Sequence, residues 1–261
     1  MAIRTTAILN LKGGVAKSTT AINMAAILAK DHGKKILLID ADSQCNTSEF
    51  FGADPMDGNL AMALRGAGHY DDPGTYVASL IQKTRFEGVD ILSGDETLMD
   101  MDLSKVEQGT VNSNILRYLV EDVKDRYDYA FIDCPPAFNA ASAAALIAAD
   151  DVIIPIKLDA FSLRGMGNLM RQMQNMRRIN PRLRLAGMLP TMWYKDEQIR
   201  EAETQLRRAG LPVFHHIRRS DRVDKMTFRQ EPLLVSSPNS AAGVDYRKFV
   251  KEYMGGASNG I

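Results

Sequence analysis

Hydrophobic residues in this chain fall into short unbroken runs, separated by longer stretches with helical periodicity. Thr6-Ala7-Ile8-Leu9, Ile36-Leu37-Leu38-Ile39, Tyr129-Ala130-Phe131-Ile132 and Val152-Ile153-Ile154 are apolar at consecutive positions. Strands covered on both faces of a parallel sheet have that character. The runs predict strands over 3–9, 35–40, 89–92, 129–133, 151–156, 184–190 and 211–217. Apolar residues spaced three and four apart predict helices over 18–32, 112–125, 140–149, 162–179, 196–209 and 242–254. Gly33 ends the first helix, and Pro135-Pro136 ends the strand at 129–133. Residues 41–58 read as a polar loop and 59–110 as largely irregular, with Leu163, Met166, Leu169, Met170, Met173 and Met176 as the buried stripe of the helix at 162–179.

Strand and helix alternate, which argues for an α/β fold: a mostly parallel twisted sheet with helices on both faces, a three-layer α/β/α arrangement. With no repeat, low-complexity segment or linker, residues 1–254 are expected to form a single domain and 255–261 a flexible tail.

At 261 residues and 45% hydrophobic content, the chain can bury one large core. No apolar run approaches the roughly 20 residues of a membrane span, and no secretory leader precedes the first strand, so a cytoplasmic location is expected. Cys45 and Cys134 lack metal or redox spacing and read as reduced thiols. His32, His69, His215 and His216 also lack ligand spacing. Net charge is zero, yet residues 164–229 hold fifteen Lys/Arg against six Asp/Glu. That imbalance points to an acidic partner, nucleic acid first.

The chemistry concentrates where the first strand meets the first helix. Lys12-Gly13-Gly14-Val15-Ala16-Lys17-Ser18-Thr19 forms a glycine turn between them. Backbone N–H groups of such a turn, with the positive end of the helix dipole, cradle phosphates. Lys17 would reach the β- and γ-phosphates of a nucleotide, and the Ser18 hydroxyl would sit on magnesium. The general G-x-x-x-x-G-K-[ST] pattern is not met, because Leu11 and Ala16 hold its glycine positions. A variant, K-G-G-x-x-K-[ST], is met. Asp40, Asp42 and Asp133 end strands on the same sheet edge, where open parallel sheets bind ligands. Asp133 is the candidate magnesium holder, directly or through water. Asp42 is the candidate for orienting the attacking water. Asp40, pointing the other way, is expected to anchor the loop by pairing with a lysine.

These residues, with Leu38-Ile39-Asp40-Ala41-Asp42-Ser43-Gln44 and Tyr127-Asp128-Tyr129-Ala130-Phe131-Ile132-Asp133-Cys134-Pro135-Pro136, resemble the ParA-type partition ATPases of the ParA/MinD superfamily, which are P-loop NTPases with a deviant Walker A motif. The resemblance covers nearly the whole chain, with Asn180-Pro181-Arg182-Leu183 and Thr191-Met192 as later landmarks. It implies ATP and Mg2+ as ligands and hydrolysis of ATP to ADP and phosphate. It implies that Lys12 crosses to the partner's ATP in a sandwich homodimer. It also implies that the ATP-bound dimer binds DNA without sequence preference, joins the nucleoid, and is reset by a ParB-like centromere-binding protein. Arg218, Arg219 and Arg222 are the candidate DNA contacts.

The chain departs from the family pattern at three places. Ala16 replaces a glycine and would carry a penalty of about 1 kcal/mol if φ is positive there. Ser43 stands where proline is common, and Arg218-Arg219-Ser220 replaces a Pro-Arg-Asn segment that often touches adenine. Two other readings stay open. A MinD-like membrane-cycling ATPase would use Val244, Phe249, Val250 and Met254, with Arg247, Lys248 and Lys251, as an amphipathic helix. A nucleotide-gated clamp that barely hydrolyses ATP is the alternative that Ala16 motivates.

Overall fold

A computed structural model of the chain describes residues 3–66 and 71–256. The strands are β1 (Arg4–Ile8), β2 (Ile36–Asp40), β3 (Gln82–Lys83), β4 (Val89–Leu92), β5 (Tyr129–Asp133), β6 (Asp151–Lys157) and β7 (Arg184–Thr191). They form one sheet in the order β3-β4-β2-β5-β1-β6-β7, parallel throughout except for the short edge strand β3. The helices are α1 (Lys17–His32), α2 (Asn46–Phe51), α3 (Leu60–Gly66), α4 (Pro73–Ser79), α5 (Leu103–Glu107), α6 (Ile115–Val123), α7 (Ala140–Ala148), α8 (Ala160–Met176), α9 (Glu197–Arg208), α10 (Asp221–Arg229), α11 (Leu233–Ser236) and α12 (Ala241–Gly256).

The two sheet faces build two cores, because successive strand residues point to opposite sides. Leu37, Ile39, Ala130 and Ile132 face one core, closed by α3, α6, α7 and α8. Ile36, Leu38, Phe131 and Ile153 face the other, closed by α1 and α12. Phe131, Tyr246, Phe249 and Tyr253 are fully buried there, and each large apolar side chain so removed from water contributes about 1.5–3 kcal/mol. In α8, Leu169, Met173 and Met176 are buried as the periodicity predicts; the side chain of Leu163 lies outside the described residues.

Several sequence expectations need correction. Residues 211–217 form no regular strand. They touch the edge strand β7 through the isolated bridge Met188↔Val213, and Trp193↔Arg218 follows just beyond. Pro212 has no N–H to give, and Phe214 N–H bonds to Met188 O whereas Ile217 N–H bonds to Pro190 O, three residues against two, so an extra residue breaks the ladder while His215 N–H points outward to the Glu252 carboxylate at 2.7 Å. The polar loop at 41–58 contains α2, whose Ser48 is pinned to Asp40. Helix α10 escaped the reading because only Val223 and Met226 mark its inner side, although Ser220 caps it through Arg222 N–H. At the C-terminus Gly255 and Gly256 remain helical, whereas residues 257–261 of the expected tail lie outside those described, as does His69.

Candidate active site

The site forms at the carboxyl ends of β1, β2 and β5. Parallel register sets Asp40 and Ile8 beside Asp133, so the carboxylates and the loop after β1 meet on one edge. That loop is held from three sides. The Asn10 side chain donates to Pro155 O at 2.7 Å and accepts from Lys12 N–H at 3.0 Å. The Thr191 hydroxyl donates to Val15 O at 3.1 Å, and the Val15 side chain is buried.

Gly14 and Ala16 both have φ near 67°. A side chain built on Gly13 or Gly14 would meet nothing within 4 Å, so the turn surrounds open space. Helix α1 starts at Lys17 with no side-chain cap, leaving its first N–H groups directed at that space. This is an anion cradle. Ala16 occupies the left-handed region that the sequence departure raised. Ala16→Gly should therefore stabilise the protein by about 1 kcal/mol, raising Tm by roughly 2–4 °C in a thermal scan.

Lys17 is buried, with its Nζ 3.2 Å from Lys12 O. Burial lowers its pKa, while the charges of Asp133 and Asp42 act in the opposite sense. Asp40 and Asp133 are both fully buried, and burial pushes both carboxyls above the ordinary carboxylate range. Asp133 is held back by hydrogen bonds from Ser18 and Thr47, the latter at 2.7 Å. Its Oδ1 is buried without a hydrogen-bond partner. An unpartnered carboxylate oxygen next to a serine hydroxyl fits the all-oxygen preference of magnesium.

Asp40 does not pair with a lysine. It accepts from Ser48 N–H and Oγ, both at 2.8 Å, and from Asp42 N–H at 3.2 Å. The backbone of α2 folds over the end of β2 and saturates that carboxylate before any ammonium reaches it. Asp42 accepts from Gln44 N–H at 3.0 Å and borders the cleft.

From the cradle a cleft of about 980 Å³ runs past Asp42, Phe50 and Lys157 to a far wall of Ile217, Arg218, Arg219, Val223 and Thr227. Arg218 and Arg219 thus face the cleft. Arg218 is also bound by buried Asp245 through Nε at 2.7 Å and Nη2 at 2.8 Å. That pairing fixes its guanidinium in place, with its side chain still 42% exposed. Arg219 and Arg222 are exposed.

Thr47, Ser48, Asp245 and Asp159 were missed by the sequence reading. Asp159 follows β6 as Asp133 ends β5, so strand-end acidity was its one available signal. Among the described residues no cluster of His, Cys, Asp and Glu forms a metal site, and both cysteines are free thiols. His216 stacks on Trp193 with centroids 3.9 Å apart.

Residues 3–185 match the family described as an AAA domain. The chromosome partitioning protein ParA of Caulobacter vibrioides is 33% identical over 258 residues, covering 96% of this chain and 93% of its own. Among solved structures, apo McdA of Cyanothece superposes with a TM-score of 0.81 at 21% identity, over 97% of this chain and 99% of that one. Cobyrinic acid a,c-diamide synthase from Mycobacterium smegmatis, solved with an ATP analog and magnesium, superposes with a TM-score of 0.79 at 25% identity, over 99% of this chain and 97% of that one.

Proposed function

The chain belongs to the ParA-like family of partition ATPases, and on that premise we propose that it hydrolyses ATP to ADP and phosphate in a nucleotide-gated cycle of DNA partition. The observation that carries this reading is the uncapped start of α1, with buried Lys17 and the unpartnered Asp133 oxygen beside it. The triphosphate lies in the glycine turn, bound by the N–H groups of residues 13–19. Lys17 supplies charge to the β- and γ-phosphates, where the transition state spreads negative charge over the transferred group. Ser18 and Asp133 would hold Mg2+, which when bound neutralises phosphate charge. Asp42 orients water toward the terminal phosphorus from the open side of the cleft. Asp40 braces the Asp40–Asp42 segment through Ser48.

In this reading Lys12 reaches the γ-phosphate of a second subunit, so two copies close over two ATP molecules and the dimer alone is hydrolytically competent. The dimer binds duplex DNA through phosphate contacts, with Arg219 and Arg222 as contributors, and a ParB-like protein stimulates hydrolysis and resets it. A MinD-like membrane cycle is less well supported. Phe249, Val250 and Tyr253 of α12 are buried in the core with α1, so that helix has few apolar residues left for lipid. Among the described residues no helix is long and apolar enough to cross a membrane.

The test is phosphate release and binding to random-sequence duplex DNA, each with ATP and with ADP. DNA binding should require ATP and fall by about 10³ between 50 and 200 mM salt if roughly six phosphates are neutralised. Phosphate release at the buffer rate, with and without DNA, would refute the enzyme reading. DNA affinity insensitive to nucleotide would refute the gating.

A further inference from the structure

We propose that Asp159 is a positioning residue for Lys12, holding its ammonium inside its own subunit until a γ-phosphate from a second copy displaces the carboxylate. Lys12 Nζ lies 2.8 Å from Asp159 Oδ2 and 3.0 Å from Oδ1. Both residues stand on anchored backbone. Lys12 N–H is fixed by the Asn10 side chain, which is itself fixed to Pro155 of β6. Asp159 closes a tight turn just past β6, its N–H bonded to Lys157 O at 2.9 Å. Neighbouring strand ends therefore set the distance between the partners, and the four-carbon stem of lysine is the part that can swing.

The strength of the pair suits a latch. The side chains are 39% and 28% exposed, so water screens the attraction. Pairs of this kind change equilibria by a factor of about 2–5. A terminal phosphate, carrying more charge than one carboxylate, competes successfully for the same ammonium. Each sandwich dimer opens two such pairs, so the factor enters the dimerisation constant squared. The inference rests on the shared-lysine reading of the proposed function.

The experiment measures dimerisation by sedimentation with Mg2+ and a non-hydrolysable ATP analogue, on wild type, Asp159→Asn, Asp159→Glu and Lys12→Ala. Asp159→Asn should raise the dimerisation constant by about 4- to 25-fold. Asp159→Glu should return it to within about twofold of wild type, because the longer carboxylate still meets a flexible ammonium. ADP affinity of the monomer should not change, since Lys12 serves the other subunit's nucleotide. A constant in Asp159→Asn equal to or below wild type, while Lys12→Ala abolishes dimers, overturns the latch alone. An increase in ADP affinity matching the gain in dimerisation also overturns it, because simple removal of negative charge near the phosphates then explains both. Dimers and turnover unaffected by Lys12→Ala overturn the shared-lysine reading itself.

Discussion

Replacing Lys17 with alanine should reduce ATP turnover by about two to three orders of magnitude. The ammonium is buried at the base of the cradle, within the influence of Asp133 and Asp42. No other cation in the described site is buried at that depth; Lys12 and Lys157 stand nearer solvent. A preorganised charge in a water-poor site stabilises the transferring phosphoryl group far more than a solvated one does. Lys17→Arg should not restore activity, because a planar guanidinium does not fit the volume of a compact ammonium. Steady-state phosphate release checks both variants. A loss smaller than tenfold in Lys17→Ala would show that this ammonium does not serve the reaction.

The largest stability effect is expected at Asp245→Ala. Asp245 is fully buried on α12 and accepts from Arg218 Nε, Nη2 and N–H, and from the His215 ring at 3.3 Å. Truncation strands a guanidinium and a backbone N–H. Breaking a buried pair costs about 3–5 kcal/mol, and the 42% exposure of Arg218 argues for the lower end, about 3 kcal/mol. Urea unfolding should show a lower midpoint at unchanged slope.

The pH dependence of that loss has a definite sign. Burial raises the Asp245 carboxyl, but the hydrogen bonds of Arg218 outweigh it and the folded pKa lies below the ordinary 3.8. The unfolded chain therefore binds the proton first as pH falls. The stabilising contribution is complete well above pH 3.8 and is lost as pH falls through the folded value. Wild type and variant should differ by a constant amount above about pH 5 and converge in stronger acid. A difference that grows on acidification would contradict the assignment.

The central strands and the loop between β1 and α1 were legible because their signals are local. Unbroken apolar runs have one stable use in an α/β chain, and a glycine turn between strand and helix has a narrow set of functions. Strand-end position was enough to group Asp40, Asp42 and Asp133. What the sequence hid depends on contacts distant along the chain. Asp40 meets Ser48 only because α2 folds back over β2; Asn46 and Glu49 before Phe50-Phe51 have the spacing of a helix start, but no local pattern fixes where such a six-residue helix packs. Arg218 looked like part of a basic surface because its partner is 27 positions away on α12. The segment at 211–217 has strand composition and does bond to β7, but Phe214 and Ile217 reach Met188 and Pro190 with one residue too many between them, so no regular ladder forms.

Helix α12 has a wider consequence. The AAA domain match spans residues 3–185, yet the hydroxyl of Tyr253 is hydrogen-bonded to that of Thr6 at 2.7 Å, and the hydroxyl of Tyr246 lies 3.3 Å from that of Thr20. The last helix is thus the outer wall for the very segment that begins the chain's chemistry. Chimeras built by joining relatives at residue 185 would set one protein's first helix against another's last, and two rings shaped for different neighbours would meet there. Recombination within such a lineage should preserve the two ends as a co-inherited set.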